Sequence, residues 1–200
     1  MDKGRLEAFS DGVIAIIITI MVLEMKVPHS ADLESLKEIV PVFFSYILSF
    51  IYVGIYWSNH HHMLHATRHV NGAVLWANIH LLFWLSLTPF TSGWMGENHF
   101  AKWPVVLYGA NLLMCAISYT ILAFSLVKLH GKDSTLARAM GKDYKGKASI
   151  AIYILGLACS FIDSRIGFVL YIVVACIWLI PDKRIERIVI EEHRNREQRM

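Results

Sequence analysis

Apolar residues along this chain gather into six segments that short polar stretches separate. The segments cover residues 6–27, 40–57, 73–94, 103–129, 148–162 and 166–180. A transmembrane helix needs roughly 20 predominantly apolar residues, so the first four segments are long enough to cross a bilayer and the last two are short. The pattern predicts an all-α integral membrane protein with six transmembrane helices per subunit. A re-entrant hairpin formed by the last two segments stays open as an alternative.

Composition supports the membrane assignment. Hydrophobic residues make up 56 % and charged residues 18 % of the 200 residues, whereas a soluble domain of this size carries more charge. The sequence contains no glycine-rich phosphate loop, no nucleophile elbow and no zinc-protease histidine–glutamate pair. It therefore predicts a protein that is not an enzyme and that requires no cofactor.

The basic residues are distributed unevenly, and this predicts the orientation. If the amino terminus is cytoplasmic, 15 of the 19 lysines and arginines fall in inner segments, and the outer ones are Lys26, Lys37, Lys102 and Arg165. The positive-inside rule then places both termini in the cytoplasm, with the protein in the inner (plasma) membrane of a prokaryote. We expect one six-helix transmembrane domain over residues 1–182 and a charged cytoplasmic tail over 183–200. Next to a membrane, the basic loop and tail favour anionic lipids over nucleic acid as partners.

The first apolar segment carries polar side chains at its inner end, namely Arg5, Ser10 and Asp11. Ionisable groups at membrane depth cost a few kcal/mol each, so they face protein or water instead of lipid. We therefore expect protein or water around the inner end of this helix. Helical periodicity places one uncharged stripe further along the same helix, and its members are Gly12, Ile16, Thr19 or Ile20, and Leu23. Taken alone, that stripe fits lipid contact or packing as well as a functional surface.

Two separated motifs in the first 90 residues carry a family resemblance. The first has the pattern Arg-x-x-x-Phe-Ser-Asp before an Ile/Thr-rich helix and consists of Arg5, Phe9, Ser10 and Asp11. The second consists of Trp57, His60 and Asn78. Pro89 and Phe90 then close the third helix. This order and spacing resemble the signature of the transmembrane protein 175 family of potassium channels, and the sequence looks like a prokaryotic, single-repeat member.

The resemblance implies a homotetramer in which the first helix of each subunit lines a central pore. It implies that Ile16 forms the narrowest ring, with Thr19 or Ile20 one turn further out and Leu23 beyond them. Cyclic symmetry repeats each of these side chains around the axis. The first motif would brace the pore helix, and Trp57, His60 and Asn78 would pack behind it.

An apolar ring has no ligands that replace an ion's water, so it penalises ions that hold water tightly. Potassium is less strongly hydrated than sodium, and a potassium-permeable cation channel of moderate selectivity is the function we expect. Asp11 and Glu7 at the inner mouth would concentrate monovalent cations there.

A histidine cluster suggests other functions. It consists of His60, His61, His62, His65 and His69. His61 and His65 share a helical face, which suits zinc or nickel, but no cysteine or carboxylate nearby completes a ligand set. We therefore expect no metal centre and expect His60 to pack against the first helix, bonded to Ser10, Asp11 or Asn78. Two alternatives stay open: a proton-conducting path through Asp11, His60 and Glu7, and a histidine-dependent metal-ion transporter.

Overall fold

The computed structural model describes residues 3–131, 134–141 and 143–179, and every regular element within these ranges is helical. In chain order the α-helices are α1 Lys3–Leu23, α2 Val40–His65, α3 Gly72–Ser86, α4 Thr88–Glu97, α5 Lys102–His130, α6 Thr135–Met140, α7 Tyr144–Ser160 and α8 Ser164–Leu179. A 3-10 helix, Leu33–Glu38, precedes α2. The all-α prediction is confirmed. The predicted charged tail over 183–200 lies outside the described residues.

Within the described ranges, four units are long and apolar enough to cross a membrane: α1, α2, α3 together with α4, and α5. Helices α7 and α8 have 17 and 16 residues, which corresponds to about 25 Å of helix at 1.5 Å per residue. A bilayer's hydrocarbon core is about 30 Å thick. The count of six crossings therefore stays a prediction, because the last two helices are shorter than this core.

The third predicted segment is a pair of helices with a break at Leu87, which is the C-cap of α3 and the N-cap of α4. Pro89 lies in the first turn of α4. Because proline has no backbone N–H, it interrupts the hydrogen-bond ladder of one helix and is well suited to begin the next. Pro89 and Phe90 therefore follow the end of α3, as expected, but the chain continues directly as α4.

Helices α2, α3, α4, α5, α7 and α8 pack together as a scaffold, and tyrosines join α2 to α5 and α8 within it. The Tyr52 hydroxyl donates to the Tyr171 carbonyl, which joins α2 to α8. The Ser49 and Tyr108 hydroxyls lie 3.0 Å apart and join α2 to α5. A Cβ atom at Gly109 would overlap the Tyr171 side chain, so this glycine permits the close approach of α5 and α8.

The carboxyl-terminal end of α1 contacts α4 and the residues after α1 bond to it. Helix α1 ends at Leu23, four residues before the predicted end of the first segment, and the Glu24 side chain then lies against Gly93. Lys26 Nζ donates to Glu97 Oε1 at 2.7 Å. This hydrogen bond and the charge of Glu97 raise the pKa of Lys26. Both contacts fix where α1 ends relative to the scaffold.

Candidate functional site

Helix α1 has a buried face that packs on α2, α3 and α4. The residues of this face recur at helical spacing and are at most 6 % exposed: Leu6, Ser10, Ile14, Ile17 and Met21. One polar residue, Ser10, lies among four apolar ones. The inner end of α1 is therefore enclosed by protein on this side, as the position of Ser10 predicted.

The opposite face of α1 is apolar and uncovered in the single chain. Its side chains include Ile16, which is 59 % exposed, and Leu23, which is 74 % exposed. Gly12, Thr19 and Ile20 are exposed on the same side of the helix. These are the positions of the predicted stripe, and the stripe is directed away from the subunit's own scaffold.

Thr19 is the hydroxyl-bearing member of the exposed face. Its Oγ1 donates to the Ala15 carbonyl at 2.9 Å, within the same helix. The hydroxyl proton is therefore committed to the backbone, and the oxygen lone pairs are left as acceptors. An exposed oxygen of this kind is suited to contact a cation.

A buried hydrogen-bond chain lies behind the inner end of α1. Asn78 Nδ2 donates to Ser10 Oγ at 2.9 Å, and Asn78 Oδ1 lies 2.7 Å from His60 Nε2. The Ser10 hydroxyl in turn donates to the Leu6 carbonyl at 2.8 Å. Ser10, His60 and Asn78 are each at most 1 % exposed. The chain joins α1, α2 and α3, and with these assignments His60 Nε2 carries the proton that it donates to Asn78.

Two further contacts join α1 to α2 closer to the surface. Trp57 Nε1 donates to Asp11 Oδ1 at 3.0 Å, and Lys3 Nζ donates to the Leu64 carbonyl at 3.2 Å. The sequence pattern predicts that Trp57 packs behind α1, but it does not indicate that Asp11 is the partner of Trp57. The Lys3 contact could not be predicted, because nothing in a lysine's sequence context indicates a backbone carbonyl 61 residues away.

Arg5 and Phe9, the other members of the first motif, lie on the exposed surface of the subunit. Within the part of the chain that the structure describes, no ion pair involves Arg5. A bracing role for these two side chains stays a prediction.

The histidines separate into two kinds. His60 is buried and bonded to Asn78, one of the three partners expected for it. His61, His62, His65 and His69 are exposed. Among the described residues, no group of three or more His, Cys, Asp and Glu side chains is arranged to hold a metal ion.

The chain is similar to known proteins of one family. The family profile described as "Endosomal/lysosomal potassium channel TMEM175" matches residues 5–89. A potassium channel from Chryseobacterium sp. (strain P1-3) is 56 % identical over 187 residues, which cover 94 % of this chain and 97 % of that protein. The chain belongs to the TMEM175 family. The matched range begins at Arg5 and contains every other residue of both sequence motifs.

Other TMEM175 relatives match over different lengths. The crystal structure of a lysosomal potassium-selective channel TMEM175 homolog from Chamaesiphon minutus superimposes with a TM-score of 0.78 at 28 % identity, covering 90 % of this chain and 97 % of that one. The human endosomal/lysosomal proton channel TMEM175 is 37 % identical over 84 aligned residues, which cover 34 % of this chain and 17 % of that protein. These relatives are named as ion channels, and they differ in the ion that their names give.

Proposed function

We propose that this chain is one subunit of a potassium-permeable channel and that α1 lines the pore. One observation carries the proposal: α1 buries its only polar core residue, Ser10, against the scaffold and leaves an apolar stripe uncovered on the opposite face. The relatives that match nearly the whole chain are a bacterial potassium channel and a homolog described as potassium-selective. Family membership and an unpartnered α1 face together support a conduction path along that face.

A single α1 stripe cannot enclose a pore, so several subunits must contribute one stripe each. We propose a homotetramer with fourfold symmetry, in which each exposed side chain becomes a ring of four. Ile16 would form the narrowest ring. Thr19 and Ile20 would lie one turn further out, and Leu23 would form the outermost apolar ring.

The proposed filter acts through dehydration. Rings of isoleucine and leucine offer no oxygen ligands, so an ion passes only if it sheds or rearranges its water at low cost. Potassium does this more readily than sodium, which favours moderate selectivity. The Thr19 oxygen lone pairs would stabilise a partly dehydrated ion next to the apolar ring.

The buried chain is the proposed brace of the pore helix. Asn78 holds Ser10 from one side and His60 from the other, so α1 is fixed in rotation relative to α2 and α3. Trp57 adds a contact to Asp11. In the assembly, Arg5 and Phe9 would complete the brace against neighbouring subunits or lipid phosphate.

The proposed setting is the inner (plasma) membrane of a prokaryote, with both termini cytoplasmic. The uneven distribution of lysine and arginine supports this orientation. Helices α7 and α8 would complete six crossings by local thinning of the bilayer or by snorkelling of flanking basic side chains. The permeant ion is potassium, and membrane lipids are the remaining partners.

Proton conduction is the second candidate function, because vertebrate relatives are named as proton channels. The buried chain argues against a relay through His60. A relay needs groups that accept and release protons in turn, but Asn78 is a neutral amide and the chain ends on the Leu6 carbonyl. The buried chain therefore offers no continuous proton relay through His60 and Asn78.

The test is ion flux through purified protein in planar bilayers. Under bi-ionic conditions the wild type should prefer potassium over sodium. Ile16→Asn should move the reversal potential towards zero, because a polar ring lowers the cost of dehydration for the more tightly hydrated sodium ion. Ile166→Asn is a matched control, since Ile166 is a similarly exposed isoleucine on α8. An unchanged selectivity in Ile16→Asn would contradict the proposed filter. For the second candidate function, a pH-sensitive dye in liposomes would detect proton flux.

A further inference from the structure

The inner end of α2 presents two histidines that the proposed conduction path does not use. Helix α2 continues past the buried His60 and ends at His65. His61 and His65 are four residues apart, so they lie one turn apart on the same side of the helix. Both are exposed, and their ring centroids are 6.1 Å apart. Two imidazoles at this spacing on a helix are the arrangement by which helical zinc sites hold their metal.

The ring separation fits a shared metal ion. A zinc–nitrogen bond is about 2.0–2.1 Å long, which places the metal roughly 3 Å from the centre of each ring, and tetrahedral coordination then requires ring centres about 5 Å apart. Closing the gap from 6.1 Å requires a shift of less than 1 Å in each exposed side chain. Rotamer changes of exposed side chains occur on the picosecond-to-nanosecond timescale, so the rings can sample this spacing.

We propose that His61 and His65 form a two-imidazole site for a divalent transition-metal ion, with water completing the coordination. Imidazole nitrogen is a preferred ligand of Zn²⁺, Ni²⁺ and Cu²⁺. His62 also contacts His61, with ring centroids 5.7 Å apart, but consecutive residues on a helix point in different directions and His62 does not share the site. Two protein ligands make an exchangeable site, in contrast to a structural site with four.

The site adjoins a contact of the pore helix. The His61 ring stacks on Trp57 with centroids 6.0 Å apart and an interplanar angle of 26°, and the same indole donates to Asp11 on α1. A metal ion that fixes the His61 ring therefore fixes the surface on which Trp57 packs. The site lies on the exposed side of α2, apart from the buried His60, so it is a surface binding site.

Copper binding tests the proposal directly. The purified protein, carrying no polyhistidine tag, is titrated with Cu²⁺ at pH 8, because protons compete less with a metal for its ligands as the pH rises. Electron paramagnetic resonance then reports how many nitrogens bind the ion. The wild type should show two nitrogens, and His61→Ala and His65→Ala should each show one. The affinity should fall at least about tenfold, because even the loss of a group that only supports a ligand costs about 10–100-fold. Zn²⁺ should compete with Cu²⁺ for the same site.

His62→Ala is the matched control, because it removes a neighbouring exposed imidazole from the same helix. It should retain two nitrogens and the wild-type affinity. All three positions are exposed, so each variant should elute and unfold as the wild type does, which separates loss of the site from loss of the fold. Two-nitrogen binding that survives in His61→Ala, or an equal loss of affinity in His62→Ala, would overturn the assignment.

Discussion

Replacing Asn78 by leucine tests the buried brace, because leucine keeps the branching of asparagine and removes its hydrogen bonds. The wild-type amide bonds Ser10 at 2.9 Å and His60 at 2.7 Å. In Asn78→Leu the His60 N–H becomes an unpaired buried donor, which costs about 1–3 kcal/mol, and the second bond is lost as well. Hydrogen bonds between membrane helices contribute about 0.6–2 kcal/mol each. We expect the variant to be less stable by about 2–4 kcal/mol.

For a chain of this length, 1 kcal/mol lowers the midpoint of thermal unfolding by roughly 2–4 °C. Asn78→Leu should therefore lower the Tm by about 5–15 °C, measured from tryptophan fluorescence of the detergent-solubilised protein. Ser125→Ala is the control, since Ser125 is a half-buried hydroxyl that donates only to the Ile121 carbonyl of its own helix. Its Tm should change by less than about 2 °C.

A double-mutant cycle shows whether the bonds act together. Ser10→Ala alone removes the acceptor of the Asn78 Nδ2–H donor, but in the Asn78→Leu background it removes no interhelical bond. The two effects should therefore be less than additive by at least about 0.5 kcal/mol. A Tm for Asn78→Leu within 2 °C of the wild type, or strict additivity in the cycle, would refute the brace.

Three further predictions concern the contacts around the brace and scaffold, and the Tm measures each. Trp57→Phe keeps the ring but loses the N–H that bonds Asp11, so it should cost about 0.5–1.5 kcal/mol; no change would show that the contact contributes nothing. Gly109→Ala places a methyl group against the Tyr171 hydroxyl and should cost about 1–3 kcal/mol; Tyr171→Phe should restore part of this, and an absence of rescue would contradict the proposed overlap. Lys26→Gln breaks an exposed ion pair and should change stability by less than about 1 kcal/mol; a larger loss would contradict this.

Local sequence patterns were sufficient to predict α1 and its two faces. Helical spacing alone groups Ile16 with Leu23, and the polarity of Ser10 indicates protein on the other side. The family resemblance brought His60 and Asn78 together as packing partners, and the structure shows them bonded. These features follow from periodicity or from a spaced motif, which a single sequence displays directly.

Contacts between distant segments could not be predicted in this way. Tyr52 meets Tyr171 across 119 residues, and Lys26 meets Glu97 across 71. Both contacts depend on how the helices pack, and helical periodicity specifies which face is buried without specifying its partner. The break at Leu87 was missed for another reason: an uninterrupted apolar run conceals it, and Pro89 fits either a kink or a new helix start.

Imaging of the assembled protein in lipid nanodiscs tests the central claim most directly. The account predicts a fourfold particle in which α1 of every subunit surrounds the axis, with Ile16 at the narrowest point and Thr19 and Leu23 facing the same path. A particle in which these side chains contact lipid while another helix surrounds the conduction path would contradict it.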